Sequence, residues 1–413
     1  MLFSISLVFL CAIVLSEIAH KLKLPGLVGM LLTGIILGPY ALKLITPEIL
    51  DISTELREIA LIVILIRAGL ALNIDDLKKV GKPAVLLSFI PATFEIITVA
   101  VLAPLFFTIT QLDAVIMGTV LAAVSPSVIV PKMLNLMARG YGKKQRIPQL
   151  IMASVSVNGI YVIVLFTSFM NMADSGSFEA ASLINIPIAI IAGLLLGILT
   201  GLLLDTLFKK ISLPDIIKVL IILSTAFLFV TLESSIKMHF SVSGLLASVA
   251  LGGTILKRDD ILAKRLSETF SKIWVGAEII LFVLLGATVD ISHVLNAGVV
   301  AVLLIIIALV IRLGSIFACL IKTNLKINER FFCAISYFPK ATVQAAIGGL
   351  PLAAGMAAGN TILTISVLAI LITAPLGAIG VDATYKKLLT TEESILDADS
   401  IKKVVRKAER RRR

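Results

Sequence analysis

The sequence predicts an all-α polytopic membrane protein of about thirteen transmembrane helices built as inverted repeats. Three observations predict it. Hydrophobic residues make up 58% of the 413-residue chain and charged residues only 15%, too few to coat a water-soluble fold of this size. Lys and Arg gather in alternate loops between the apolar runs. Two of the runs, seven spans apart, are interrupted in the same manner by prolines and polar residues.

A hydrocarbon core of about 30 Å takes roughly twenty apolar helical residues. Segments crossing it must be helices, because backbone polar groups in lipid need partners within their own segment. Runs of this kind lie near residues 2–19, 25–42, 57–74, 83–107, 112–137, 148–170, 184–207, 215–232, 240–256, 270–288, 294–321, 330–354 and 358–380, spans 1 to 13. Residues 1–16 lack a basic leader and run on into further spans, so they read as a first span, not a cleaved signal.

The loops fix the orientation. Those after odd-numbered spans carry Lys21 and Lys23; Lys78, Lys79 and Lys82; Arg139, Lys143, Lys144 and Arg146; Lys209 and Lys210; Lys257, Arg258, Lys264, Arg265 and Lys272; and Lys322, Lys326 and Arg330. Those after even-numbered spans carry only Lys43 and Lys237, with Arg57 at a span edge. The positive-inside rule then sets the N-terminus outside the cell membrane and the basic C-terminal tail in the cytoplasm. This placement accounts for the formal net charge of +11 without a nucleic-acid partner. No soluble domain is expected. The arginines that end the tail read as a topology anchor or as a contact for anionic lipid.

Other chemistry is sparse. Cys11, Cys319 and Cys333 sit in apolar runs with no metal or redox spacing, and they read as small buried hydrophobes. His20, His239 and His293 fall near span ends and read as interfacial. No nucleophile–base pair, metal cluster or phosphate loop points to an enzyme, and no cofactor is expected.

The interruptions are more informative. Span 5 contains Ala122-Ala-Val-Ser-Pro-Ser-Val-Ile-Val-Pro131, and span 12 contains Pro339-Lys-Ala-Thr-Val-Gln-Ala-Ala-Ile-Gly-Gly-Leu-Pro351. Proline removes a backbone donor and opens the helical ladder, which a membrane tolerates only where protein or a wet cavity satisfies the freed groups. An odd offset of seven spans makes the two segments run in opposite directions. Paired broken helices of this kind mark the binding site of a secondary transporter.

Charges collect at the same depth. Asn158 and Lys340 each lie ten residues into a span that enters from the cytoplasm, and Glu95, Glu278, Arg67 and Arg312 also fall near the middle of their spans, beside Ser125 and Ser127. A charge at the bilayer centre costs at least about 2.5–3.5 kcal/mol, so these side chains face the protein interior. For Arg67 and Glu95 a structural ion pair, one with the other, stands level with a transport role. For Lys340, inside a broken helix, transport is the stronger reading. Lys132, near the inner end of span 5, reads as a side chain that snorkels to the interface.

Several stretches resemble bacterial members of the cation/proton antiporter superfamily, the sodium/hydrogen exchanger family. They are residues 120–166, with the broken Ala-Ala-Val-Ser-Pro-Ser run, Gly140-Tyr-Gly142 and Ile147-Pro-Gln-Leu-Ile151; Lys23-Leu-Pro-Gly-Leu-Val-Gly-Met30; Ile66-Arg-Ala-Gly-Leu70; Phe282-Val-Leu-Leu-Gly286; and Phe338-Pro-Lys-Ala-Thr-Val-Gln-Ala-Ala-Ile-Gly348. The resemblance covers roughly residues 1–385. It implies a homodimer in which residues 1–74 and 215–288 form a dimerisation scaffold and residues 83–170 and 294–380 form a moving core. Residues 184–207 would link them, residues 381–413 would form the tail, and spans 5 and 12 would cross at their unwound centres. It also implies alternating-access exchange of a monovalent cation, Na⁺ or K⁺, for protons, with one span 6 aspartate holding either in turn.

This chain departs from that pattern at the aspartate. Relatives read Asp-Asp or Asn-Asp on span 6, where this sequence reads Ser156-Val157-Asn158-Gly159. The site set implied by the resemblance and the breaks is therefore Ser125, Pro126, Ser127, Ser156, Asn158, Gly159, Glu278, Arg312, Lys340, Thr342 and Gln344, with Glu95 or Glu278 as substitute carboxylate. Arg312 stands where relatives place a cation facing the aspartate, so here it must find another anion: Glu95, Glu278 or a bound ion. Three accounts remain. Another acid carries the exchange; the protein moves an anion toward Lys340 and Arg312; or it is a non-transporting, regulatory paralogue.

Overall fold

The computed structural model describes residues 1–71, 80–174, 182–236 and 242–390, and its helices fall on all thirteen predicted segments. Lys78, Lys79, Lys237, His239 and the tail from 391 lie outside the described residues. No strand occurs among the described residues, as lipid demands of an open chain.

Among the described residues, nine of these segments are helices long and apolar enough to cross a membrane. The other four segments depart for separate reasons. Span 2 is a helix over Gly26–Leu37, only 12 residues. Span 9 covers Gly244–Arg258 and ends in Lys257 and Arg258. Span 12 is broken into Ile327–Ser336, Thr342–Ile347 and Leu350–Ala353. Span 3, over Ser53–Leu70, carries four charged residues. Spans 2 and 9 are short and largely buried, while spans 1, 7 and 8 turn most of their apolar surface outward, as lipid-facing helices do.

Span 3 corrects one sequence expectation. The hydropathy pattern starts it at residue 57 and sets Arg57 at its edge. The helix starts four residues earlier, and Arg57 is buried inside it. Its guanidinium folds back onto its own first turn, donating to the Ser53 carbonyl at 3.2 Å and to Thr54 Oγ1 at 3.4 Å. Two of its three nitrogens are thereby bonded within the helix, and Nη1 is buried without a partner.

The packing carries the inverted repeat. Spans 2 and 10 meet through a reciprocal pair of glycines: Gly34 faces the Val283 carbonyl and Gly286 faces that of Leu31. Spans 3 and 9 do the same, Gly69 facing the Val249 carbonyl and Gly252 that of Ile66. A repeat that maps spans 1–6 onto spans 8–13 sends span 2 to span 9 and span 3 to span 10, so it exchanges these two contacts. A Cβ on Gly34 would stand 1.9 Å from the Val283 oxygen. Close backbone approach through small residues is how helices associate without a hydrophobic driving force. Span 4, over Lys82–Phe106, packs on span 11, over Ile291–Leu320, its counterpart in the repeat.

Candidate functional site

Span 5 is helical over Gln111–Ala122 and again over Pro126–Ala138, with residues 123–125 unwound between them. Pro126 starts the second half, where its missing N–H is no loss. Span 12 unwinds over residues 337–341, around Pro339. The two gaps touch: the Ser125 N–H donates to the Pro339 carbonyl at 2.8 Å. The hydroxyls converge beside them, Ser125 lying 2.9 Å and Ser127 3.2 Å from Thr342 Oγ1, and 3.0 Å from each other. The spans therefore cross at their unwound centres.

Breaking span 5 frees the last carbonyls of its first half, and three side chains take them. Gln344 Nε2 donates to the carbonyls of Val120 at 3.0 Å and Ala123 at 2.9 Å. Arg312 Nη1 donates to Ala122 at 2.8 Å, and Lys340 Nζ donates to Leu121. A helix C-terminus carries a partial negative charge, so two of the three donors are cations for a physical reason. On the other side of the gap, Asn158 accepts from the Val124 N–H at 3.0 Å and donates to the Ser88 carbonyl at 3.2 Å, tying span 6, over Ile147–Asp174, to spans 5 and 4.

Glu95 balances the cations. One of its oxygens pairs with Arg312 Nη1 and the other lies 2.6 Å from Lys340 Nζ, with all three side chains excluded from solvent. The anion that Arg312 requires is thus Glu95. The expected pairing of Glu95 with Arg67 is not what forms, because Arg67 lies in a different compartment, its guanidinium 5.2 Å from the centre of the Trp274 ring. The ion-pair reading of Glu95 holds in kind and changes in partner. The Arg312 guanidinium also stands 5.7 Å from the Tyr337 ring centre, a cation–π contact that shares a side chain whose Nε and Nη2 have no hydrogen-bond partner.

Beside this network lies a cavity of about 700 Å³, bounded by spans 3, 6 and 10 and by the second halves of spans 5 and 12. Pro126, Ser127, Ser156, Gly159, Glu278 and Thr342 line it, as does Arg67. Ser125, Asn158, Glu95, Arg312, Lys340 and Gln344 are buried and are not among its lining residues. The structure therefore sorts the expected site into residues that line the cavity and residues that do not. Among the described residues, Glu278 is the one acid that lines the cavity. At Gly159 a Cβ would meet only a Val343 methyl carbon, at 4.0 Å, so a side chain there would enter open space.

Sequence reasoning missed three contributors. Trp274 stands in the cavity one helical turn before Glu278 on span 10, over Asp260–Ala287; its place at i−4 from an intramembrane acid was the available signal. Tyr337 donates to Ser154 Oγ, and Thr373 of span 13, over Gly359–Leu388, accepts the Lys340 N–H at 3.0 Å; neither stands out in an apolar run. Lys132 pairs with Asp382 at 2.5 Å and remains partly exposed. Cys319 and Cys333 are buried and Cys11 is half-buried, all with free thiols. No cluster of three or more His, Cys, Asp or Glu side chains suited to a metal occurs among the described residues.

Comparison with known proteins adds the following. The profile of a family described as "Sodium/hydrogen exchanger, transmembrane" matches residues 5–387. The chain is 31% identical over 419 residues to sodium/hydrogen exchanger 9B2 of Homo sapiens, across 95% of this chain and 76% of that protein. It is 30% identical over 413 residues to sodium/hydrogen exchanger 9B1 of the same species, across 94% and 78%. The fold is similar to the structure of the sodium proton antiporter MjNhaP1 from Methanocaldococcus jannaschii at pH 8, with a TM-score of 0.80 over 93% of this chain and 97% of that one at 21% identity.

Proposed function

The chain belongs to the sodium/hydrogen exchanger family, and on that premise we propose that it exchanges a monovalent cation for protons by alternating access, with Glu278 in place of the span 6 carboxylate. The observation that carries this reading is the content of the cavity. It reaches the span 5 and span 12 break at Ser127 and Thr342, and among the described residues its lining holds one acid. A carboxylate that binds a proton cannot at the same time bind a cation, so one such group, presented to each side of the membrane in turn, couples the two fluxes.

Glu95 does not suit this task. It is held by two cations in a compartment that the cavity does not reach. The same two contacts weaken the anion account, because Arg312 and Lys340 are occupied by Glu95 and by helix-end carbonyls.

The packing supports a division into moving and fixed parts. Spans 1–3 and 8–10 act as scaffold and as the homodimer's contact side; the reciprocal glycine contacts lie within this set. Spans 4–6 and 11–13 act as the core, which the Glu95 and Asn158 networks bind into one body. With the N-terminus outside, the cavity is the cytoplasmic opening, since Gln149 and Ser267 on its wall lie near the inner ends of spans 6 and 10.

The test is proton flux in proteoliposomes with a trapped pH dye and added Na⁺, K⁺ or Li⁺. Cation-driven flux supports exchange. No flux with any cation overturns it and leaves the non-transporting paralogue.

A further inference from the structure

Trp274 is the only tryptophan in the chain. It faces the cavity one helical turn from Glu278, and the chain's own Arg67 guanidinium lies 5.2 Å from its ring centre. Arg67 and Glu278 line the same cavity. An aromatic face beside a carboxylate is the arrangement that recognises an organic cation. Here a tethered guanidinium already occupies it.

Two further features point the same way. A bare alkali ion favours a close set of oxygen donors, and Gly159 withholds the carboxylate that would complete one. The space this leaves opens into a cavity of about 700 Å³, within the roughly 300–1,000 Å³ range of small-molecule sites. The walls are mainly apolar, with polar groups converging at Ser127, Ser156, Thr342 and Glu278.

We propose that the cation exchanged through this cavity is a small organic monocation of the guanidinium type, which lies on Trp274, pairs with Glu278 and displaces Arg67. The inference rests on the exchange reading and names its substrate. When the cation binds, the Glu278 carboxyl releases its proton to water and pairs with the cation; on the opposite side the cation leaves and a proton returns. One positive charge moves each way. Between release of the proton and arrival of the cation, Arg67 pairs with the bare Glu278 carboxylate, so neither step passes through an uncompensated buried charge.

The test uses the full chain. Butylguanidinium, which remains charged at any working pH, is titrated onto purified protein while Trp274 fluorescence is followed, and its exchange for protons is measured in proteoliposomes beside Na⁺ and K⁺. The expected result is a saturable fluorescence change and proton exchange driven by butylguanidinium, both lost in Glu278→Gln. Arg67→Gln removes the competitor and tightens binding by about tenfold. In the flux assay Trp274→Phe keeps the aromatic face and exchanges, and Trp274→Leu does not. Proton exchange with Na⁺ or K⁺ but no butylguanidinium binding overturns the proposal and leaves the exchange reading standing. Binding without exchange overturns the substrate assignment, as does weaker binding by Arg67→Gln. No exchange of any cation overturns both readings.

Discussion

Lys340 Nζ lies 2.6 Å from Glu95 Oε1, in a compartment that excludes solvent from both side chains. The other Glu95 oxygen is held by Arg312, so one carboxylate supports two buried cations. Removing it strands both. Glu95→Ala is expected to destabilise the protein by about 3–5 kcal/mol, the range for breaking a buried pair. Lys340→Met leaves the Arg312 pair in place and costs less. Thermal unfolding of the two variants in detergent checks the order; equal losses contradict it.

Asn158 acts through its amide. It accepts from the Val124 N–H, which the unwound gap leaves without a helical partner, and donates to the Ser88 carbonyl inside span 4. Asn158→Ala is expected to cost about 1–3 kcal/mol, the penalty for leaving a buried polar group unsatisfied. Asn158→Asp keeps the acceptor and loses the donor, so its melting temperature should fall between those of the native chain and the alanine variant.

The glycines of the membrane domain divide by what surrounds them. A Cβ at Gly34 would stand 1.9 Å from the Val283 oxygen, while one at Gly298 would meet nothing within 4 Å. Gly34→Ala should separate spans 2 and 10 and lower the melting temperature. Gly298→Ala, in the helix over Ile291–Leu320, should raise stability by about 0.5–1 kcal/mol, the usual gain for alanine over glycine in a helix. A stable Gly34→Ala would contradict the close-packed interface.

Gly159→Asp has room, since its Cβ meets one methyl carbon at 4.0 Å and its carboxylate enters the cavity. The variant is expected to fold without a steric clash, at a cost on the order of 2.5–3.5 kcal/mol if the new carboxylate is charged and unpaired at mid-membrane depth. It should also gain proton flux driven by Na⁺, because it supplies the missing oxygen ligand. Unchanged ion preference in a folded variant would show that the cavity does not bind the cation beside span 6.

Much of the fold is legible in the sequence, because bilayer thickness and charge asymmetry act on long runs of residues. The span count, the breaks around Pro126 and Pro339 and the burial of Arg312 and Lys340 all follow from those constraints. Pairing is less legible. Glu95 and Arg67 stand at similar depth, and depth alone cannot tell which face of a helix a side chain occupies; three-dimensional packing sends Glu95 to Arg312 and Lys340 and Arg67 to Trp274. The start of span 3 is not legible because Arg57 looks like a boundary and instead folds back to donate to its own first turn. Trp274 was overlooked because a single aromatic residue in an apolar run carries no periodic signal.

The central claim is that Glu278, and not Glu95, carries the exchanging proton. The direct measurement is cation-driven proton flux in proteoliposomes holding equal amounts of native protein and Glu278→Gln, each verified as folded by its melting curve. The account predicts flux from the native chain that rises and saturates with cation concentration, and none from Glu278→Gln. Undiminished flux from Glu278→Gln would contradict it and return the exchange to the buried Glu95 compartment.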